Sequence, residues 1–597
     1  MSTTLRYNEY YDTQASFDWL YERSKANALN GIGLYEYIIS RENILLAYRT
    51  IKSNTGSKTK GCDGLTIKDY KIIDEDEFVN GIRNCLMNYR PRKVRRVFIP
   101  KDNGKLRPLG IPSMRDRLIQ QMFKQVLEPI VEAKFHKHSY GFRQNRSTKH
   151  AIARCAHLVN HAHLNYVVDV DINKGFFDNV NHRKLINQLW NIGVKDKRVL
   201  TIINRMLKAE IEGEGIPTKG TPAGGILSPL LANVVLNEFD WWISNQWETF
   251  KSDFTYSKDS HRLRALHKTN MKQMVIVRYA DDFKIFTNNH RNAQKIYHAV
   301  KAYLFETLHL EISPDKSKIT NLRKRSSEFL GFELRAVKKS NKYVMHSHVA
   351  KGVKERIVKR GREAIKEIQK SPSPKTARYY NAWVLGLHNY FQYATHVNID
   401  FVEIAYRLSK SLYNRLKSIG KYKIPIKPSP TYQKFYKGYK TFNICGVDLF
   451  PIRGIKTSHA RNFSQEICNY TENGRGKIHR GLAHLGTSEI SKLMYAQIPN
   501  KSVEYIDNRI SKYSAQQGKC AITGKFLFYH QVYCHHITPT SLGGDDSYNN
   551  LVVIGENVHR LIHATDKKVI SYLKRGLIDS EIEKINKYRV QCKLTII

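Results

Sequence analysis

The sequence predicts a multidomain α+β protein, and three observations carry that reading. Its 597 residues, at about 150 per domain, leave room for roughly four domains. Across about 60–340, short apolar runs alternate with segments of helical periodicity, the pattern of sheets covered by helices. After residue 350 the chain becomes basic and helical, and from about 515 a histidine-bearing motif reads as a separate small domain.

The elements follow in order. Residues 1 to about 45 read as polar helix, and the segment 52–64, rich in Gly, Lys, Ser and Thr, as a loop or a backbone grip on phosphates. The run VRRVFIP at 94–100 predicts a strand, and Asn103-Gly104 after it a turn. Helical periodicity covers 113–135 and 182–212. YVVDVD at 166–171 alternates apolar and acidic positions, as a strand does, and MVIVRYADDFKIFT at 274–287 reads as two apolar runs flanking Ala280-Asp281-Asp282, the pattern of a β-hairpin. Residues 351–420 read as helix, and Pro425, Pro428 and Pro430 suggest a linker after it.

Composition narrows the function. With 41% hydrophobic and 11% aromatic residues the chain is globular, not disordered or collagen-like. Against 53 Asp and Glu stand 98 Lys and Arg, a net charge of +45. So large a surplus repels itself unless a polyanion neutralises it; nucleic acid is the first candidate and an anionic membrane surface the second. From Ile404 to Val447 there are ten Lys and Arg and no Asp or Glu, interleaved with Tyr and Phe, which suits phosphate neutralisation with base stacking. No run of about 18 apolar residues marks a membrane span, MSTTLRYNEYYDTQ lacks the apolar core of a secretory signal, and eight scattered cysteines make no disulfide framework. These features predict a reduced, cytoplasmic protein with no membrane partner.

Asp281 and Asp282 are the first candidate site. Adjacent carboxylates at a hairpin tip repel each other and are tolerated where a divalent cation neutralises them. Asp171 ends an earlier apolar strand, so that the three could hold two Mg²⁺ ions of the kind that serve nucleotidyl transfer.

The blocks around them resemble those of reverse transcriptases, and specifically of bacterial group II intron-encoded proteins. They are Lys101-Asp-Asn-Gly-Lys-Leu-Arg107-Pro-Leu-Gly-Ile-Pro112, Ser139-Tyr-Gly-Phe-Arg-Gln-Asn-Arg-Ser147, Asp169-Val-Asp171 through Gly175-Phe-Phe-Asp-Asn-Val-Asn-His182, Gly220-Thr-Pro-Ala-Gly-Gly-Ile-Leu-Ser-Pro229, Arg278-Tyr-Ala-Asp-Asp-Phe283, Ser313-Pro-Asp-Lys316 and Phe329-Leu-Gly-Phe332. The resemblance implies a right-hand polymerase with fingers and palm, followed by a helical thumb that doubles as the maturase domain. It makes Asp171, Asp281 and Asp282 the metal-binding catalytic residues. Lys101 and Arg107 become contacts to the incoming triphosphate, and Phe177 the bulky residue that excludes a 2′-OH. Two positions depart from the family pattern: Ala223 stands where Gln is usual, and one extra residue lies near Asn173, which leaves Asp169 as the competitor to Asp171. The thumb resemblance rests on Leu387-His-Asn-Tyr-Phe-Gln-Tyr393.

The second candidate site is C-terminal. Cys534-His535-His536 is followed by Gly543-Gly-Asp-Asp-Ser-Tyr-Asn-Asn550 and by His559 and His563, an i, i+4 pair on one helical face. This resembles an HNH endonuclease, a ββα-metal fold. The resemblance makes His535, His559 and His563 ligands of one divalent ion, His536 the general base and Asn550 the residue that orients it. Relatives with two Cys-x-x-Cys pairs hold zinc, but here Cys520-Ala-Ile-Thr523 is half a pair and the second falls on Gly555 and Val558, so no Cys₄ zinc is expected.

The expected organisation is thus an N-terminal helical extension (1–50), reverse transcriptase fingers and palm (51–340), maturase or thumb (341–445), a DNA-binding region (446–515) and an HNH endonuclease (516–597). Its expected partners are group II intron RNA, target DNA and dNTPs, and its expected pathway is target-primed reverse transcription. Three rivals stay open: a splicing-only maturase with a decayed polymerase, which intact Asp171, Asp281 and Asp282 oppose and which Ala223 and the shifted spacing keep open; a retron or defence-type reverse transcriptase, which the C-terminal block opposes; and a plain nuclease with an RNA-binding arm, which leaves the Lys101–Pro112 block unexplained.

Overall fold

The computed structural model describes residues 3–597 apart from 71, 73, 101–105, 173–174, 223, 481–486, 497 and 499–500. Lys101, Asn173 and Ala223 therefore lie outside the described residues. Contacts divide the chain into two units, 17–465 and a second made of 1–16 with 466–597.

In the larger unit, β1 (Arg95–Pro100) and β2 (Leu106–Ile111) form a hairpin. β3 (Tyr166–Val170), β4 (Val275–Tyr279), β5 (Asp282–Thr287) and β6 (Lys318–Asn321) form the central antiparallel sheet, in the order β4-β5-β3-β6. The helix His290–Leu308 buries Ala293, Ile296, Val300 and Leu304 at helical spacing and packs on β3 and β6. The helix Ser228–Asn245 is buried nearly all round and packs on β4. β7 (Ser327–Phe329), β8 (Phe332–Lys339) and β9 (Lys342–Val349) make a second antiparallel sheet. The stretch 182–212, expected as one helix, is two, His182–Ile192 and Lys197–Leu207; Gly193 ends the first at φ 122, and Asp196 caps the second by accepting from Val199 N.

Three helices follow, Lys351–Lys370, Pro374–Phe391 and Val397–Leu416. The residues expected to mark a thumb mostly hold these helices in place. His388 is buried between Tyr436 Oη (2.9 Å) and the Ile452 carbonyl (2.8 Å), and Tyr390 donates to the Leu330 carbonyl at 3.0 Å while stacking on Phe332. The proline-marked segment is more ordered than a linker. Pro430 opens the helix Pro430–Tyr436 behind the cap Ser429, and β10 (Lys421–Lys423), β11 (Thr441–Ile444) and β12 (Val447–Asp448) form a small sheet. The reason is that Pro suits a helix's first turn, where no N–H is needed.

The smaller unit holds β13 (Val532–His536) and β14 (Leu551–Gly555), paired antiparallel, followed directly by the helix Glu556–His563. Leu493, Ile510, Tyr513, Leu551, Val553, Ile554, Leu561, Ile562 and Ile585 pack its core, and Cys520 lies in that core with Ile522 and Val558. Residues 1–16 belong to this unit: Arg6 donates to Ser511 at 2.8 Å and Gln14 to the Asn469 carbonyl at 3.0 Å. The divisions at 16/17 and 465/466 thus differ from the expected 50/51 and 445/446, because these long-range contacts leave no composition signal.

Candidate functional site

The central sheet places the acidic residues. β3 and β5 pair in a register that ends at Val170 opposite Phe283, so the next residues, Asp171 and Asp282, face each other across the strand ends. β4 and β5 pair from Tyr279 and Asp282, leaving Ala280 and Asp281 as a two-residue turn, with Ala280 at φ 58. One register therefore brings Asp171, Asp281 and Asp282 together from two distant parts of the chain.

A buried network holds that turn. Arg278 and Asp240 are both fully buried and meet at 2.6 Å; Arg278 also donates to Asn233 Oδ1 (2.9 Å) and to the Ala280 carbonyl (2.8 Å). Asn233 in turn donates to the Gly141 carbonyl at 2.8 Å. Segment 138–140 runs beside β4, with Arg278 N donating to the His138 carbonyl and Tyr140 N to the Arg278 carbonyl. Gly141 then lies flat on the turn: a Cβ there would sit 2.3 Å from Ala280 N. The glycine of the Ser139–Ser147 block is thus required by close backbone approach.

Asp169 and Asp171 share one face of the strand but have different surroundings. Asp169 is buried, ion-paired with Lys284, and accepts from Ser327 Oγ at 2.8 Å. The Asp171 side chain keeps 46% of its surface exposed, next to Lys316 Nζ at 2.9 Å. Asp282 keeps an open edge, yet crowding removes it from bulk water on its other sides. That desolvation, joined by the charges of Asp281, Asp169 and Asp171 and opposed by Lys284, raises its carboxyl to about 6. Like charges held this close are the donor set a divalent cation relieves, so the residues present fit the expected metals.

Of the other expected substrate residues, Phe177 and Arg107 are described. Phe177 is half-buried and lies edge-on to Phe142, the neighbour of Gly141. Its carbonyl accepts from Thr221 N at 2.7 Å, which holds the start of the Gly220–Pro229 block against it. Arg107 is exposed on β2, opposite Ile99.

Residues 99–334 match the family model described as reverse transcriptase (RNA-dependent DNA polymerase). Protein YkfC of Escherichia coli is 32% identical over 332 residues, 52% of this chain and 84% of that protein. The group II intron-encoded protein LtrA of Lactococcus lactis is 32% identical over 345 residues, 51% of this chain and 56% of that protein. The putative COX1/OXI3 intron 2 protein of Saccharomyces cerevisiae is 29% identical over 353 residues, 51% of this chain and 40% of that protein. The chain belongs to the group II intron-encoded reverse transcriptases. The match spans about half the length of the two intron-encoded relatives. No helix among the described residues is long and apolar enough to cross a membrane.

The family-model match ends at residue 334, and the histidine cluster of this reverse transcriptase lies well beyond it. His535 and His536 end β13, and His559 and His563 lie on the helix that follows β14. The His535 ring lies 5.5 Å from that of His559 and 5.1 Å from that of His563, between ring centroids. Burial, with the neighbouring imidazoles, lowers His535 to about 3 and His559 to about 4, so both are neutral at pH 7 and keep lone pairs to offer. His535 Nε2 is buried with no hydrogen-bond partner, while its Nδ1 lies 3.4 Å from His563 Nε2, so the cluster offers imidazole donors that suit a metal.

His536 donates from Nε2–H to Asp546 Oδ1, 2.7 Å away, and stacks on Tyr505. Asn550, expected to orient this imidazole, is engaged elsewhere. It accepts from Thr538 N at 2.8 Å and donates to the carbonyls of Thr538 (3.0 Å) and Asp545 (2.8 Å). Its amide closes the loop 538–545, and the loop presents Asp546. Gly544 lets the loop close, since a Cβ there would meet the Thr538 carbonyl oxygen at 1.8 Å. Asp546 and Lys316 were legible only as letters of the Gly543–Asn550 and Ser313–Lys316 blocks; Asn233 and Asp240 carry no signal before folding.

Proposed function

We propose that this chain is an RNA-directed DNA polymerase and intron maturase that also nicks DNA, acting in intron mobility by target-primed reverse transcription. The observation that carries the polymerase is the register placing Asp171 opposite Asp282 beside the Ala280-Asp281 turn. Two Mg²⁺ ions bound there would supply Lewis-acid stabilisation of the attacking and leaving oxygens. Asp171, Asp281 and Asp282 bind and orient, Lys316 offsets charge beside Asp171, and Phe177 walls the sugar face of the incoming dNTP. Arg107, on the β1–β2 hairpin, would contact the incoming triphosphate, the role that the family resemblance also gives Lys101.

The maturase reading assigns 341–445 to the thumb and to intron RNA. Lys410, Lys417, Lys421, Lys423, Lys427, Lys434, Lys437 and Lys440 are exposed there beside exposed Tyr406, Tyr413 and Tyr422, which suits phosphate contact and base stacking. A surface that binds folded RNA better than unfolded RNA shifts the folding equilibrium by that difference.

The endonuclease reading assigns the ββα element of β13, β14 and the following helix to an HNH centre. With Nε2–H donated to Asp546, Nδ1 of His536 is the free base that takes a proton from the attacking water. A divalent ion in the cluster of His535, His559 and His563 would offset charge on the scissile phosphate.

The test is primer extension on an RNA template with Mg²⁺. Asp281→Ala with Asp282→Ala is expected to abolish cDNA synthesis and to spare RNA binding; retained extension refutes the assignment.

A further inference from the structure

We propose that Cys592 is a metal ligand, joining His535 and His563 in an imidazole–thiolate site that prefers Zn²⁺ to Mg²⁺. The inference rests on the metal-centre reading of the histidine cluster and extends it to a residue that carries no motif.

One donor atom from each of His535, His563 and Cys592 lies within 4.8 Å of the other two. His563 Nε2 is 3.4 Å from His535 Nδ1. Metal bonds of about 2.0–2.3 Å in tetrahedral geometry place donors roughly 3.3–3.8 Å apart, so this pair already stands at coordination spacing. The remaining nitrogen of His535 is buried and has no hydrogen-bond partner.

Cys592 is there because a buried arginine holds it. The helix Asp579–Gln591 ends at Cys592, which caps it. Arg589, one turn earlier, is 1% exposed and donates to the carbonyls of Leu561 (2.7 Å), Ile562 (3.2 Å) and Ala564 (2.9 Å). Those are the orphan carbonyls at the end of the helix that carries His559 and His563, and a cation there satisfies them. Arg589 thus ties the helix bearing the thiol to the helix bearing the imidazoles. Tyr588 beside it packs edge-on to His535, at 5.9 Å between centroids.

The chemistry follows from the donors. Metal binding displaces the thiol proton to solvent and leaves a metal-bound thiolate. A soft sulfur with two imidazoles suits Zn²⁺ or Co²⁺, whereas Mg²⁺ takes oxygen donors.

The experiment is titration of the full-length protein with Co²⁺, followed by absorption. With excess Mg²⁺ present to occupy the carboxylate site, the expected result is one equivalent bound with a thiolate-to-cobalt charge-transfer band in the near ultraviolet, absent in Cys592→Ser and kept in His536→Ala. Zn²⁺ is expected to displace Co²⁺, and Cys592→Ser to bind Zn²⁺ at least about tenfold more weakly. In the unsubstituted protein, Zn²⁺ is expected to protect Cys592 from alkylation, read by peptide mass mapping, so the outcome does not depend on the folding of a variant. Co²⁺ bound without the band, and with Cys592 still alkylated, overturns the thiolate ligand and leaves the histidine centre standing. Failure to bind Co²⁺ at all overturns both.

Discussion

Replacing Gly141 by alanine is the sharpest probe of how the polymerase centre is held. The added Cβ would sit 2.3 Å from Ala280 N, 2.9 Å from the Tyr279 carbonyl carbon and 3.0 Å from Ala280 Cα. All three are backbone atoms, so no side-chain rotation relieves the clash. An ordinary contact begins near 3.4 Å, so the turn must retreat by about 1.1 Å along the closest line. Arg278 resists the retreat through the Ala280 carbonyl, and Asn233 resists it from the Gly141 side. The turn carries Asp281 and leads into Asp282, so both move with it. A misplacement of about 1 Å at reacting groups can cost about 100-fold in rate, or about 2.7 kcal/mol of barrier. Single-turnover primer extension on an RNA template is the assay, with circular dichroism and RNA affinity as controls for folding. The expected result is a fall of about 100-fold in the extension rate with template affinity kept. A Gly141→Ala protein that folds and extends at the full rate would refute the reasoning, because the close approach would then have no bearing on the carboxylates.

Three further outcomes are expected. His536→Ala should stop DNA nicking while leaving extension intact, and Asp546→Asn should slow nicking by about 100-fold and alter its pH profile, checked on supercoiled plasmid; loss of both activities in either variant would argue against separable sites. Because Asp282 is raised to about 6 in the folded chain, the folded state holds more protons than the unfolded state between the ordinary carboxylate range and about 6. Metal-free stability due to this group therefore falls as pH rises through that window, so Asp282→Asn should be the more stable protein at pH 7, with the gap closing below pH 5 in thermal melts. Neutralising Lys434, Lys437 and Lys440 together should weaken RNA affinity and reduce its log–log salt slope by up to about 2, measured by filter binding; an unchanged slope would mean these side chains touch no phosphate.

The sequence by itself carried the ordered blocks, because they are local and each residue type answers to a fixed chemical need. Adjacent aspartates between β-rich runs, histidines at i, i+4, and a basic tract without acids all survive as patterns in one dimension. Strand and helix positions near the centre were legible for the same reason, since periodicity records which face is buried. Tertiary structure alone decided which of Asp169 and Asp171 stays open, because the strand pattern puts both on one face and only Lys284 and Ser327, arriving from other strands, neutralise the first. It decided that residues 1–16 belong with the last part of the chain, a contact between the two ends that no window of sequence spans. It also replaced Asn550 by Asp546 beside His536, and set Cys592 beside His535 and His563. Such neighbours are fixed by packing and by the buried Arg589 clamp, and pairings between distant residues depend on how the whole chain closes.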